Sequence, residues 1–249
     1  MLKNWKRKRE EEKKKARRTA VIEFAAASSL SYSETDQNVR EKLRTVSIES
    51  VLLPDGSLGK WPGWAVPENM LSGLWQGLPV AEGDFSIFAT SSAPSFTGYP
   101  ATVAGRYIKW GDKHFSAAIA DLPAALPDLM IQKIMTGWLG DRQAQVMQAK
   151  FAEVISSTPR YHIEPGFDHE WWVTTTNTAL AAKLIDASMI TWMLSLSAGG
   201  AFIFKLSGRN LLLVWSYLLP APDLRVIFNT TKSFSDHIPR QIWAEYGTS

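Results

Sequence analysis

Two hydrophobic periods alternate along this chain. Residues 19–32 carry Val21, Ile22, Phe24, Ala25 and Ala26 at helical spacing, and the helix they predict ends near Ser28-Ser29. Residues 33–45 are polar and read as linker or surface helix. A first strand is expected over 46–53, closed by Pro54-Asp55-Gly56, a fixed φ followed by a turn-mimicking side chain and a free φ. Prolines and glycines around Trp61 and Trp64 predict an ordered loop over 57–70. From Leu71 a hairpin is expected through Gly73-Leu74-Trp75-Gln76-Gly77 into Leu78-Pro79-Val80, after which Phe85 and Ile87 alternate with Ser86 and Phe88. Residues 90–100 are loop-like. Strands over 101–110 and 114–122 meet at Gly111-Asp112, a hairpin signal, and Pro123 and Pro127 are expected to end the sheet run. Asp141 then caps a helix with Ala144, Met147, Phe151, Val154 and Ile155 on its apolar face.

The second half repeats the alternation of periods. Tyr161–Glu164 and Glu170–Thr174 read as short strands. Asn177 is expected to cap one helix with Ala181, Leu184, Ile185, Met189, Trp192, Met193 and Leu196 on one face, stopped by Gly199-Gly200. Phe202–Leu206 and Leu211–Leu219 predict a hairpin across Ser207–Asn210. Pro222-Asp223 opens a last helix with Leu224, Ile227, Phe228, Thr231 and Phe234 inward. The aromatic ending, 238–247, is expected to dock on its own chain. Residues 187–204 are 18 uncharged positions in a row, near the length of a membrane span. Two adjacent glycines, several hydroxyl side chains and a change of period at Gly199 argue against a span.

The resulting fold class is α+β: mainly antiparallel sheets in two sequential lobes with helices packed on one face, preceded by a charged N-terminal helix. The divisions are a basic helix over 1–32, a β-rich lobe over 46–135 and an α+β lobe over 141–246. A length of 249 residues and 45% hydrophobic content supply material for a real core. With no cysteine in the chain, disulfides, thiolate metal sites and a cysteine nucleophile are excluded, which fits a cytoplasmic setting. No secretory signal is seen, since residues 10–18 are charged where an apolar core is required.

Charge changes the picture most. Lys3, Lys6, Arg7, Lys8, Arg9, Lys13, Lys14, Lys15, Arg17 and Arg18 are ten bases against Glu10, Glu11 and Glu12, a net +7 within the first 18 residues. The whole chain carries +3, so residues 19–249 carry −4. The high isoelectric point therefore belongs to the tail. Good helix formers and the favourably ordered pairs Glu10–Lys14 and Glu11–Lys15 predict a helix there. These ten residues are the candidate anionic-surface contacts, with Leu2 and Trp5 at the interface. Phosphate backbones would attract the same charges, although the acidic body makes nucleic acid the weaker reading. Arg106, Lys109 and Lys113 would have to extend the stripe. A solvated helix that aids solubility and a helix that meets a protein partner are the other readings, and the oligomeric state is open.

Catalytic signals are sparse. The histidines are His114, His162, His169 and His237. His169-Glu170 lacks the second histidine of a zinc helix, and the spacings His162/Glu164 and Asp168/Glu170 suit a polar strand face as well as a metal. There is no nucleophile elbow, phosphate loop or dinucleotide fingerprint. Trp61, Trp64, Trp75, Asp84 and Asp121 form a candidate ligand groove, or, with the tryptophans as a lid, plain packing. A hydrolase using an acidic cleft near Asp84 and Asp121 is the competing enzymatic reading. No cofactor, metal site or catalytic residue is assigned. The leading expectation is a non-enzymatic binding or regulatory module, cytoplasmic and peripheral at the membrane through residues 1–18.

A family resemblance supports that direction. Phe167, Trp171-Trp172-Val173, Asn177, Ala181, Leu184, Asp186, Met189 and Leu194, then Asn210-Leu211-Leu212-Leu213 and a closing helix, resemble the bacterial domain of unknown function 3137. Gly73–Val80, Asp84-Phe85 and Ala118–Pro123 are similar to elements of its first half, so the resemblance spans roughly residues 30–240. It implies no catalytic residues. Many members carry transmembrane helices ahead of this domain. Here a charged helix stands in that place, and a peripheral anchor in place of an integral one is the expectation.

Overall fold

The computed structural model describes residues 2–46, 48–52, 58–61, 66–87, 113–133, 160–196, 202–215 and 218–247. The Pro54-Asp55-Gly56 turn, Trp64, the 90–100 loop, the 101–110 strand, the Asp141 helix and the Gly199-Gly200 stop lie outside them. The fold is α+β, an antiparallel sheet behind a charged N-terminal helix, as the patterning predicts.

Helix α1 (Leu2–Ala27) is 26 residues long, about 39 Å at 1.5 Å per residue. It closes in a Schellman arrangement: Leu30 N–H donates to Ala25 O at 3.0 Å and Ser29 takes the left-handed conformation at φ 55°. Strand β1 (Ser31–Ser33) and helix α2 (Gln37–Thr45) follow, the latter capped by Asp36 Oδ1. Strands β2 (Ile48–Leu52) and β3 (Leu58–Trp61) pair with each other. Strands β4 (Val66–Trp75) and β5 (Leu78–Ile87) form the expected hairpin. Its two turn residues, Gln76 and Gly77, both have positive φ, the type I′ geometry that matches strand twist. The 57–70 loop is thus replaced in part by strand. Asn69, at φ 51°, sits in a bulge between Glu68 and Leu71 that lets β4 pair through this segment.

Strand β6 (Lys113–Lys133) is the axis of the sheet. It does not stop at Pro123 or Pro127, because both prolines fall in stretches of broken register, where no ladder N–H is required of them. Along one edge it pairs with β5 and then with β8 (Trp171–Thr175). Along the other it pairs with β9 (Phe202–Trp215). Strand β7 (Arg160–Tyr161) pairs with β8, and β1 with β4. Among the described residues these seven strands make one sheet, so the strands expected in two lobes share it.

Where a hairpin is expected, Phe202–Trp215 is one continuous strand. Its inward positions shift phase, Phe204 and Leu206 before Gly208, Leu211 and Leu213 after it. Those of β6 shift too, Ala118, Ala120 and Leu122 before, Leu129 and Ile131 after. Matched shifts keep one apolar face toward one core.

Helices α3 (Pro165–Glu170), α4 (Thr178–Leu184), α5 (Ala187–Ser195), α6 (Leu224–His237) and α7 (Arg240–Tyr246) cover that face together with the second half of α1. The single helix expected after Asn177 is therefore two. Asn177 caps α4 through Leu180 N–H, and Asp186 starts α5 by accepting from Met189 N–H. The strand expected over Glu170–Thr174 is β8, one residue further on, and helix α3 leads into it with Pro165 in its first turn. Helix α7 docks the aromatic ending on its own chain, with Ile242 fully buried. Among the described helices α2 packs on the opposite face, where Val39 and Val46 join Met70, Phe85, Phe115, Leu212 and Val214. This corrects the expectation of helices on one face. On that second face Gly83 lies against Met70, and an added Cβ would collide with Met70 Sδ. Gly83→Ala is expected to cost about 1–3 kcal/mol by overpacking, seen as a lower urea midpoint at unchanged slope.

Candidate functional site

The most unusual chemistry lies where α1 meets the sheet. Alternation along β5 puts Val80, Glu82 and Asp84 on the face that α1 covers. Asp84 is 8% exposed and receives a fork from Arg17: Nη2 donates to Oδ1 at 2.6 Å and Nε to Oδ2 at 3.0 Å. Asn69 Nδ2 donates to the same Oδ2 at 2.9 Å, and Tyr32 OH donates to Asn69 Oδ1 at 3.1 Å. The bulge that tips Asn69 into positive φ thus belongs to this network. Burial pushes the Tyr32 phenol up, against the opposing pull of the Arg18 guanidinium. Bidentate geometry makes the Arg17–Asp84 pair a strong, oriented clamp between helix and sheet.

Glu82 lies beside this clamp and is 1% exposed, with neither carboxyl oxygen hydrogen-bonded. Burial pushes its carboxyl well above the usual range, and the Asp84 charge adds to this. Arg17 and the Ser116 hydroxyl pull the other way, with smaller effect. The Ser116 oxygen accepts from Leu219 N–H at 3.1 Å. The surroundings of Glu82 therefore favour the neutral acid over the carboxylate.

A second polar cluster lies at the far end of β6. Lys133 Nζ donates to Leu196 O at 2.7 Å, lies 3.9 Å from Glu170 and sits over the Trp171 ring at 5.2 Å. Burial lowers its ammonium pKa, and Glu170 opposes the shift. Arg160 donates to the carbonyls of Asp168 and Trp171 and stacks on Trp172 at 4.1 Å. These contacts tie α3 and β8 together.

The sequence-predicted groups separate. Trp75 is a core residue: its ring stacks on Phe228 at 4.9 Å and Phe24 at 6.4 Å, and Nε1 donates to Asn229 Oδ1. Trp61 lies in β3, which pairs with β2 and is not part of the seven-stranded sheet, and Trp64 is outside the described residues. Asp121 bonds Lys42 of α2 at 2.7 Å, on the face opposite Asp84. An acidic cleft shared by Asp84 and Asp121 is thereby ruled out, because a one-residue change of parity puts side chains on opposite sides of a sheet. Asp168 and Glu170 lie on α3, and among the described residues no three His, Asp or Glu side chains gather as metal ligands.

Of the ten tail cations, Lys8, Arg9, Lys13, Lys14 and Lys15 are exposed, and Lys3, Lys6 and Arg7 lie on the same helix. Arg17 and Arg18 belong to the body: Arg17 holds Asp84, and Arg18 donates to Glu34 at 2.8 and 3.2 Å. Sequence reading missed Glu82, Asn69 and Tyr32. The signal for Glu82 was present, since it shares parity with apolar Val80, a core position.

No family model and no curated protein matches the chain. Among solved structures, the crystal structure of the mycobacterial trehalose monomycolate transport factor A, TtfA, is similar. It shares 11% identity, over 89% of this chain and 96% of that one, with a TM-score of 0.50. At that identity the likeness is one of fold alone.

Arg17→Ala would leave Asp84 buried without its counter-ion, at a cost of about 3 kcal/mol, read from chemical unfolding. For Glu82 the sign runs the other way. Its folded pKa is raised, so its contribution is most favourable below the unfolded value of about 4.3. It is lost as pH rises toward the folded value, by up to about 1.4 kcal/mol per pH unit. Glu82→Gln is expected to raise the urea midpoint, with a gain over the natural protein that grows between about pH 5 and 8. A constant gain across that range would contradict a neutral Glu82.

Proposed function

We propose that this chain is a non-catalytic binding module that presents the first half of α1 to an anionic membrane surface on the cytoplasmic side. One observation carries the reading: α1 is divided between two environments. Val21 and Ala25 are in the core, whereas residues 8–16 are exposed on every side of the helix. With Arg17 and Arg18 engaged, residues 1–16 keep eight bases against three acids, a net +5. Trp5 is 58% exposed, with the Arg9 guanidinium 5.5 Å from its ring, an amphipathic tip suited to an interface. Among the described residues no helix is long and apolar enough to cross a membrane, so the reading is of a helix lying on the surface.

The resemblance to the domain of unknown function 3137, with its membrane-attached members, supports the same placement. The fold shared with a protein named as a transport factor accords with an accessory role. The enzymatic reading loses its cleft, since Asp84 and Asp121 lie on opposite faces. The nucleic-acid reading lacks a basic body, since residues 17–249 carry −2.

Sedimentation with vesicles tests the proposal. Binding to anionic vesicles is expected, with none to neutral ones and a loss as salt rises. At about 1 kcal/mol per base near the surface, each of Lys8→Gln, Lys13→Gln and Lys15→Gln should weaken it about fivefold. Equal binding to neutral vesicles, or an unchanged triple variant, would sink the reading. Tighter binding to duplex DNA in the same buffer would favour the nucleic-acid alternative.

A further inference from the structure

Glu82 is a carboxyl with almost no exposure and no hydrogen bond, placed under the helix that carries the basic half. Its surroundings oppose its ionisation. From α1, Arg17 faces it; from its own strand, Asp84; from β4, Leu71 lies across the ladder; from β6, Ala118 lies across the ladder with Ser116 beside it. Further out are Tyr32 through Asn69, Arg18 with Glu34, and Glu68 at 4.0 Å from Lys14. His114 stands in register with Ser86, two positions along β6 from Ser116. Arg17 gives two bonds to Asp84, so that pair is neutral as a unit. A charge on Glu82 would have no counter-ion of its own and would be shielded from solvent.

Ionisation of Glu82 and closure of α1 on the sheet therefore oppose each other. We propose that the seat of α1 is a proton-linked joint: lifting the helix admits water to Glu82, which releases its proton, so that a rise in pH favours the lifted arm. The bulge at Asn69 and the fork of Arg17 define the closed state of the joint. Lifting breaks both and frees Arg17 to join the cations of the arm. The inference concerns regulation of the arm proposed above and rests on that reading for its purpose. Its physics needs only the buried acid and the helix over it.

Amide hydrogen exchange on the full chain, without vesicles, tests it. Protection is corrected for the intrinsic dependence of exchange on pH. The amides of Val21–Ala27 should be less protected than those of β6 and β9, because the joint opens below the global unfolding free energy. Their protection should fall about tenfold per pH unit between about pH 5.5 and 8. Glu82→Gln should flatten that slope, while Tyr32→Phe and His114→Gln should retain it. In the natural protein the carboxyl carbon shift of Glu82 should stay at its neutral-acid position through the same range, a readout that needs no variant. Four results would overturn the proposal: protection of α1 that ignores pH, an unchanged slope in Glu82→Gln, α1 amides that open only together with β6 and β9, or an ionised Glu82 signal near about pH 6. Because no lipid is present, failure here leaves the vesicle result untouched, and failure of vesicle binding leaves this one untouched.

Discussion

The ladder between β6 and β9 organises this molecule. Two long strands, 21 and 14 residues, must each keep one side apolar over a length at which a single slip would turn the core outward. They do so by shifting phase together. The breaks at Asp121–Leu126 and Leu126–Leu129 of β6 meet Gly208 of β9, and after them both strands present the opposite parity to the same core. Residues otherwise hostile to sheets, Pro123 and Pro127, are tolerated because they fall inside these breaks. One continuous face results, on which α1 and the helices from α3 to α7 rest.

That face also explains the division of α1. Its second half buries Val21 and Ala25 and completes an aromatic stack, Phe24 with Trp75 and Phe228. The first half has no such face and remains in water with its charges. The boundary falls at Arg17 and Arg18, whose forks to Asp84 and Glu34 precede the apolar seat. Beside it a carboxyl without a partner is a costly thing to bury. Packing gives no reason for it, since an apolar side chain of similar size would fill the same place. A role for its proton does give one.

The faces of the sheet decide the chemistry in another respect. Asp84 answers to α1 and Asp121 to α2, across the thickness of the sheet, so two acids 37 positions apart in sequence never meet. Each is consumed by a basic side chain from the helix on its own side. The fold shared with TtfA says nothing about this pairing. A fold is a scaffold, and the sites on it must be argued residue by residue.

Local chemistry determined much of this protein without help from tertiary contacts. Helix formers and the absence of proline before Pro54 set α1. Gln76-Gly77 set the hairpin, the spacing of Leu224, Ile227, Phe228, Thr231 and Phe234 set α6 with its inward face, and charge counting placed the positive excess at the N-terminus. These signals lie within a few residues of the structure they specify, which is why they could be read. Tertiary structure decided the rest. A phase shift at Gly208 looks like a turn until β6 supplies a matching shift. Prolines look like strand ends until their N–H positions prove unneeded. Asp186 interrupts a helix that periodicity alone would continue. Arg17 counts as one more tail cation until Asp84 takes it up, and Glu82 reads as a strand residue until α1 closes over it. In each case the deciding partner lies far away in sequence, and burial, which sets the cost of an unpaired charge or a broken ladder, exists only once the chain has folded.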